Sequence, residues 1–436
     1  MEQSVNGLSF SLGQDKGGVC SMQVTVTQPI VMALYTRALS FYCRSVQAPG
    51  FARGAVSTAY VDLAYRPHVL GHVQELLLQY CIISYLCDEL IRNRVIVVGD
   101  PQLASVHVQP NEDALFEFSF MPTTVIAQKQ WIYAPFKAPT RRNYKDIDKQ
   151  VICFAEEEDK KRTAMGENRG VQMLDWVCFT VGLLSDNSLE PLIPQTSNLW
   201  VRIGKEEIDQ EARELFLGKL FGETFVTNSP FLQKYFSKQL DTDYQLQVTI
   251  KAIVPHAYFS FPLLKKHFNI TTMTDMRRKL VEVFSMRNDI SLRLETVGQV
   301  FKGLLRQCPF HIPDDIVRQQ AKVLTKSLRQ TPDYRVYRTR KDFSRKVFTL
   351  AEKQLKESII IDYLAGKEDI HIDADDVSAY MNLMQRPRTR EFIYFDLPPT
   401  QANGQEQPIP AGIVHQACLR EKALNYVIRM LTKYNN

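Results

Sequence analysis

The sequence predicts an elongated, multidomain α+β protein, because its pattern of secondary structure changes twice along 436 residues. Residues 1–124 mix strand and helix patterns, 170–254 favour short antiparallel strands, and 255–436 favour long helices. The polar, charged stretch 125–169 indicates a linker that is helical in part. A chain of this length is also longer than one hydrophobic core usually supports. Long helices separated by polar gaps would form arms, so we expect an elongated molecule.

Composition indicates a folded protein in a reducing compartment. Hydrophobic residues make up 45% of the chain and charged residues 23%, which excludes wholesale disorder, and the formal charge is +5. The cysteines at 20, 43, 81, 87, 153, 178, 308 and 418 form no CxxC pair, as is typical of reduced thiols. No secretory signal is visible, and the longest apolar run, 76–86, is too short to span a bilayer. We therefore expect a soluble, cytoplasmic protein.

The predicted elements follow from hydrophobic periodicity. In 1–124 the pattern predicts a strand at 20–28, a helix at 29–46 that Pro29 opens, a helix at 68–93, and strands at 105–110 and 115–122. In the last region it predicts helices at 271–307, 312–328, 341–366, 373–384 and 415–431. As a single helix, the first of these would be roughly 50 Å long.

The stretch QAPGFARGAVS, residues 47–57, joins two predicted helices and contains Phe51 and Arg53 between Gly50 and Gly54. A phosphate-binding loop would need a strand before it and a Lys-Ser/Thr pair opening the next helix, and the sequence has neither. Two interpretations stay open: an ordinary surface turn, or a tip that docks on a large acidic partner. Docking would use the arginine for a phosphate or carboxylate and the phenylalanine for a shallow apolar pocket.

A second candidate surface is strongly basic. Residues 317–346 contain ten Lys and Arg against two Asp, and YRVYRTRK interleaves tyrosines with arginines. This pattern is typical of segments that contact RNA, although a solvated helix face has the same composition, and the charge would also favour acidic unfolded chains. His68 and His72 have the i, i+4 spacing of metal ligands on a helix. No acidic partner accompanies them as in HExxH, so we predict ordinary helix residues and no metal site.

Three stretches, in this order, resemble trigger factor, the ribosome-associated chaperone with an embedded FKBP-type prolyl isomerase domain. PGFARG is similar to the family's ribosome-docking loop, and DWVCFTVGLL, NLWVRIG and LGKLFGETF follow the spacing of the FKBP-type domain. FHIPDDIVRQQ and the segment from LKESIIIDYLAG to DADDVSAYM resemble the helical substrate-binding domain. The resemblance implies a ribosome-binding domain at 1–124, a linker at 125–169, an FKBP-like antiparallel β domain at 170–254 and a long-helix chaperone domain at 255–436.

The resemblance also assigns candidate site residues. In the docking loop Gly50, Phe51, Arg53 and Gly54 match the family pattern, whereas Ala52 replaces an arginine and Ser57 the last proline. The implied isomerase pocket comprises Trp176, Phe179, Trp200, Ile208, Phe225 and Leu246, although several of these also suit the plain core of a small β domain. The implied chaperone cradle includes Met381 and Met384, whose flexible apolar side chains adapt to varied partners.

The predicted pocket wall departs from the family pattern. Its apolar positions fall on Ile208, Asp209, Gln210, Glu211 and Ala212, so two carboxylates stand where water should be excluded. Isomerisation twists a planar prolyl amide over a barrier near ~18–20 kcal/mol, and a dry apolar cleft favours the less polar twisted state. We therefore predict that this domain folds but isomerises prolyl bonds poorly.

The resemblance implies peptidyl-prolyl isomerase as the enzyme class and no cofactor, and the sequence contains no nucleotide-binding loop. The implied partners are the ribosome near its exit tunnel, through protein and RNA, and unfolded nascent polypeptides; no membrane is implied, and a weak homodimer stays open. The alternative from a different class is a basic RNA- or ribosome-binding factor that uses 317–346 and has no chaperone activity. A periplasmic chaperone–isomerase is disfavoured by the free cysteines and the missing signal.

Overall fold

The structure is a computed structural model. It describes residues 3–5, 7–13, 20–52, 54–93, 95, 97–122, 131–139, 144–166, 169–185, 191–193, 196–237, 242–329 and 333–435. In this part of the chain lie two five-stranded antiparallel sheets, one short hairpin and a long helical region. The predicted multidomain α+β fold is confirmed.

The N-terminal unit is an antiparallel sheet with a helical layer. Its strands, in the spatial order β1-β2-β3-β5-β4, are β1 (Gln3–Val5), β2 (Leu8–Gly13), β3 (Cys20–Val26), β4 (Val97–His107) and β5 (Ala114–Pro122). Its helices are α1 (Gln28–Ser45), α2 (Thr58–Leu77) and α3 (Ile83–Arg92), with a π-helical turn at Leu78–Ile82. Met22, Val24 and Val26 alternate into the core along β3, as the period of two predicted.

The prediction that the second helix begins at residue 68 was wrong. The Ser57 hydroxyl accepts a hydrogen bond from the Tyr60 amide and caps α2, which begins at Thr58 and continues through Pro67. Proline is commonest in the first turn of a helix, so Pro67, which lies inside α2, suggested a helix start too far along the chain. The α1–α2 connection therefore spans residues 46–57.

The middle sheet is built from two distant parts of the chain. After α4 (Ile147–Met165) come β6 (Trp176–Leu183), β7 (Ser197–Arg202), α5 (Gln210–Phe216), β8 (Thr224–Thr227), α6 (Pro230–Phe236) and β9 (Leu246–Val254). A strand from near the end of the chain, described next, pairs with β7 and completes the sheet. Adjacent residues of each strand point to opposite faces, so both faces carry apolar side chains.

The helical region contains the remaining elements. They are α7 (Phe261–His267), α8 (Met273–Asn288), α9 (Ile290–Gln307), α10 (Asp314–Leu328), α11 (Tyr334–Tyr337), α12 (Phe343–Lys367), α13 (Ala374–Met384), α14 (Pro387–Arg390), β10 (Gln401–Ala402), β11 (Gln405–Glu406), β12 (Ile409–Pro410) and α15 (Ala411–Asn435). Strands β10 and β11 form the hairpin, and β12 gives the middle sheet its order β12-β7-β6-β9-β8.

The single helix predicted at 271–307 is broken in the structure. Asp289 has non-helical backbone angles, φ −134° and ψ 80°, and its side chain accepts a hydrogen bond from the Leu292 amide. An aspartate in this geometry caps a new helix, so α8 ends at Asn288 and α9 begins at Ile290. The apolar period continues through the break, which is why the sequence pattern did not show it.

The apolar cores cross the predicted domain boundaries. Helix α4, in the predicted linker, packs Ile147, Val151 and Phe154 against residues of α7, α8 and α13. Buried side chains of the N-terminal unit and the middle sheet form one continuous cluster. The domain boundaries at 124, 169 and 254 therefore stay predictions. Side chains from the regions on either side pack together across them.

The accessible surface supports the predicted elongated shape. It measures 22919 Å², about a third more than the roughly 17,000 Å² that a compact 50.2 kDa monomer exposes. In the part of the chain that the structure describes, no helix is both long and apolar enough to cross a membrane.

Candidate functional surfaces

The α1–α2 loop presents one aromatic side chain to solvent. Phe51 is 39% exposed, and its ring lies 5.0 Å from that of Tyr60 in the first turn of α2. Gly50 and Gly54 have φ of +85° and +79°, a region that favours glycine, and a Cβ at Gly50 would meet no atom. The two glycines therefore supply backbone conformations that other residues rarely adopt, and Phe51 lies partly exposed beside the first of them. Arg53, the other predicted docking residue, lies outside the described residues.

The structure does not bring the six predicted pocket residues into one cleft. Trp176 and Trp200 lie on the face of the middle sheet that α13 and α15 cover, in a cluster with Tyr380 and Cys418. Phe179 and Leu246 lie buried on the opposite face.

The other two lie near the surface. Ile208 is 50% exposed, and Phe225 is half-buried on the edge strand β8 with the Lys219 ammonium 4.4 Å from its ring centre. The prediction of a shared pocket is corrected accordingly: alternation along β6 and β7 sends the two tryptophans and Phe179 to opposite faces.

The predicted pocket wall is the place where the β10–β11 hairpin is attached. Asp209 is buried, and its Oδ1 accepts a hydrogen bond from the Glu406 amide at 2.9 Å. The Gln405 side chain donates to the Ile208 carbonyl at 3.3 Å. A Cβ at Gly204 would lie 1.8 Å from Asp209 Oδ2, so this position admits only glycine while the aspartate stays in place.

The second wall carboxylate is also engaged. Glu211 forms an ion pair with Lys234 at 2.7 Å, while Ala212 is fully buried. Both carboxylates that the sequence placed beside a substrate proline thus bind other parts of this protein.

The N-terminal unit contacts the middle sheet on the Phe179 face, which α5 also covers: the Phe216 ring lies 4.8 Å from the Phe179 ring. The Tyr80 hydroxyl donates to the Val181 carbonyl at 3.1 Å and accepts from the Leu183 amide at 2.8 Å. The Phe41 and Tyr244 rings meet edge to face at 5.0 Å. Aromatic side chains of α1 and the π-helical turn therefore occupy the surface beside Phe179 and Leu246.

His72 belongs to the same junction. Its Nδ1 lies 2.9 Å from the Ser237 hydroxyl and its Nε2 2.9 Å from the Tyr244 hydroxyl. Burial lowers the pKa of His72 to about 4. No group of three potential metal ligands occurs among the described residues, and both ring nitrogens of His72 lie against hydroxyl groups of this protein. No pattern in the sequence indicated its partners, which lie 165 and 172 positions further along the chain.

The structure contradicts the prediction that Met381 and Met384 line an open cradle. Met381 is 0% exposed and Met384 is buried, because α13 presses both against the tryptophan face of the middle sheet. Exposed apolar side chains of the helical region lie elsewhere: Met273, Ile290, Leu294, Val323, Val336, Tyr337 and Leu350.

Two family sequence models match this chain. The model described as bacterial trigger factor protein (TF) matches residues 12–138, and the model of the bacterial trigger factor C-terminus matches residues 272–391. Together the two ranges cover more than half of the chain. The chain belongs to the trigger factor family. The first range contains the Phe51 loop, and the second contains α8 to α13.

Similar proteins are named trigger factor throughout. That of Mycolicibacterium smegmatis is 19% identical over 368 residues, which are 81% of this chain and 76% of that protein. That of Desulfosudis oleivorans is 21% identical over 409 residues, 88% and 87% of the two chains. That of Saccharopolyspora erythraea is 21% identical over 421 residues, 91% and 85%. The chain is therefore a divergent trigger factor.

A solved structure of the trigger factor chaperone, from work on promiscuous substrate recognition in folding and assembly, covers 97% of this chain and 100% of its own. It is 12% identical, with a TM-score of 0.38, which is too low to establish a common arrangement of domains. Membership of the trigger factor family supports a role as a chaperone. The middle sheet from Trp176 to Val254 lies in neither matched range.

Proposed function

We propose that this trigger factor is a ribosome-associated chaperone that docks through the α1–α2 loop and binds unfolded nascent polypeptides. The observation that carries the proposal is the exposed Phe51, which directly follows Gly50 and its positive φ. A large aromatic side chain on an exposed tip loses contact with water when a partner covers it, which is a common source of binding energy. Arg53 would add a phosphate or carboxylate contact.

The chaperone surface is proposed to lie on α8 and α9. Ile290 and Leu294 are exposed and one helical turn apart, so they share a face of α9, and Met273 is exposed at the start of α8. Scattered apolar side chains of this kind suit weak, repeated binding to unfolded segments. No nucleotide is required for such binding.

The middle sheet is proposed to be a poor prolyl isomerase. The enzyme class follows from family resemblance, while the hydrogen bond of buried Asp209 to the hairpin and the packing of Phe216 on Phe179 argue against an open, dry pocket. We assign this unit mainly a role in joining the N-terminal unit to the helical region.

Ribosome co-sedimentation of the full chain tests the docking assignment. Phe51→Ala should reduce pelleting with ribosomes about tenfold, because a buried aromatic anchor typically contributes 1–2 kcal/mol or more. Leu63→Ala is the matched control, since Leu63 is an 87% exposed apolar residue on the neighbouring helix. If Phe51→Ala pelleted with ribosomes as well as wild type does, the loop would be an ordinary surface turn with no docking role.

The chaperone assignment has a separate readout in the same proteins. Without ribosomes, wild type and Phe51→Ala should suppress aggregation of an unfolded client equally, because the loop is not the proposed client site. A wild-type protein that pellets with ribosomes but does not suppress aggregation would favour the ribosome-binding factor without chaperone activity.

A further inference from the structure

The positive charge of this protein is concentrated in one part of the helical region. Residues 317–346, here called the arm tip, hold ten cationic and two acidic side chains, a formal charge of +8. The whole chain carries +5, so the rest of the molecule carries −3. The arm tip is thus a basic surface on an otherwise slightly acidic protein.

The fold displays this charge along one helix and at the far end of a helical pair. Helices α10 and α12 pack along each other, with Val317, Ala351 and Leu355 buried between them. The base of the pair lies against β4, where Ile316 and Leu355 approach Gly99. Arg318 lies near the start of α10, close to this base, whereas α11 and the first turn of α12 lie at the other end of the pair.

All ten cationic side chains of the arm tip are exposed: Arg318, Lys322, Lys326, Arg329, Arg335, Arg338, Arg340, Lys341, Arg345 and Lys346. Within the described residues, Arg318 pairs with Asp314 and Asp315, and Lys346 pairs with Asp342. Carboxylates thus neutralise only a small part of the charge. A cationic surface kept in water at this density binds polyanions well.

An exposed aromatic side chain lies inside the basic surface. Tyr337 is 47% exposed, and the Arg340 guanidinium lies 5.3 Å from the centre of its ring. Tyr334 is held by an edge-to-face contact with Phe343 at 6.0 Å, which fixes the short helix α11 on α12. The Tyr337 ring therefore lies on a short helix that contacts α12, and the Arg340 guanidinium lies beside the ring.

We propose that the arm tip binds single-stranded RNA. Six of the ten cations are arginines, whose planar donor groups match phosphate oxygens, and the Tyr337 ring offers a stacking surface for a base. An acidic polypeptide would use the charge but not the ring face. This contact is separate from the Phe51 loop and does not depend on the proposed docking or chaperone sites.

Binding of a fluorescein-labelled 20-nucleotide oligouridylate to the full chain tests the proposal by anisotropy. If about four phosphates are contacted, affinity should fall roughly 50-fold between 50 and 200 mM salt, because each contact releases a counterion. Changing Arg335, Arg338, Arg340 and Lys341 to Gln should weaken binding at least tenfold at 50 mM salt and flatten this salt dependence. No detectable binding by wild type at 50 mM salt would overturn the proposal.

A charge-matched control variant distinguishes RNA binding at the arm tip from a general effect of net charge. Lys145, Lys149, Lys160 and Arg162 are exposed cations in and beside α4, and changing them to Gln removes the same total charge. This control should bind RNA as wild type does. Equal loss in both quadruple variants would mean that only net charge matters, which contradicts a site at the arm tip.

The aromatic contact distinguishes RNA from other anionic partners. Tyr337→Ala should weaken RNA binding about fivefold or more, as for loss of one stacked base, whereas Tyr337→Phe should bind like wild type. Polyglutamate and phosphatidylserine vesicles serve as competitors matched in charge. If either displaces RNA at equal charge concentration, or if Tyr337→Ala binds RNA unchanged, the partner is an acidic protein or a membrane surface and the proposal fails.

Discussion

A single buried imidazole links the N-terminal unit to the middle sheet. His72 lies between the hydroxyl groups of Ser237 and Tyr244, and Ser237 in turn donates to the Glu75 carboxylate at 2.7 Å. The Arg37 guanidinium lies 4.9 Å from the centre of the Tyr244 ring. Because burial excludes water from the ring, the neutral imidazole is the form that the folded protein holds.

The junction should therefore weaken in mild acid. Between pH 6.5, the usual pKa of histidine, and about 4, the unfolded chain binds a proton at His72 and the folded chain does not. Stability is thus present at neutral pH and is lost as the pH falls through this window, by about 2 kcal/mol at pH 5 from this group. Urea denaturation at pH 7 and pH 5 measures the loss.

His72→Gln is the control, because glutamine has hydrogen-bonding groups but does not titrate in this range. The variant should lose about 2 kcal/mol less than wild type between pH 7 and pH 5. An identical pH dependence in both proteins would assign the effect to other groups.

At the scale of single residues, the sequence predicts only those features that depend on neighbouring residues along the chain. Gly50 and Gly54 were identifiable because a turn needs positive φ within a few residues. Met381 was misplaced because its burial depends on a sheet more than 120 positions away, which no pattern around α13 reveals. The partners of His72 were hidden for the same reason.

Among the secondary-structure elements, the β10–β11 hairpin bears most directly on the isomerase activity that the family resemblance implies. It binds at Asp209 and Ile208 on the turn before α5, and the neighbouring strand β12 extends the middle sheet beside β7. Strands such as β3 and β6 were predictable, because alternation or a run of apolar residues is a property of the strand itself. The two-residue β12 has no pattern of its own and exists only through its pairing.

Asp209→Leu distinguishes the two interpretations of this position. If the only effect of the Asp209 carboxylate is to keep water in a proline-binding pocket, replacing it with an apolar residue should raise isomerase activity. We expect no gain, together with a loss of about 1–3 kcal/mol of stability, because the buried Glu406 amide loses its acceptor. A protease-coupled prolyl assay and a denaturation curve on the full chain measure both.

Glu211→Leu serves as the control for this prediction. Its ion pair with Lys234 is partly exposed, so its removal should cost at most about 1 kcal/mol. Higher isomerase activity in Asp209→Leu, or near-normal wild-type activity that Ile208→Ala abolishes, would restore the open-pocket interpretation.

At the scale of the whole molecule, both faces of the middle sheet are packed against other elements in the part of the chain that the structure describes. Trp176 and Trp200 pack on α13 and α15, while Phe216 of α5 and Tyr80 of the N-terminal unit lie on the opposite side. The sequence correctly predicted three regions of different structure, because each has its own periodicity. It did not predict that apolar clusters cross the boundaries between these regions, since such clusters depend on contacts between distant segments.

The apolar clusters shared between regions predict cooperative unfolding of this trigger factor. Removing the middle sheet from its neighbours would expose apolar faces on all three units, so it should not melt separately. The chain has three tryptophans, and Trp131→Phe leaves only Trp176 and Trp200, both buried between the middle sheet and the helical region. Their fluorescence transition should coincide in temperature with the loss of helix followed by far-ultraviolet circular dichroism. A fluorescence transition clearly below the helical one would instead make the middle sheet an independent module, in which case its faces open before the rest of the protein unfolds.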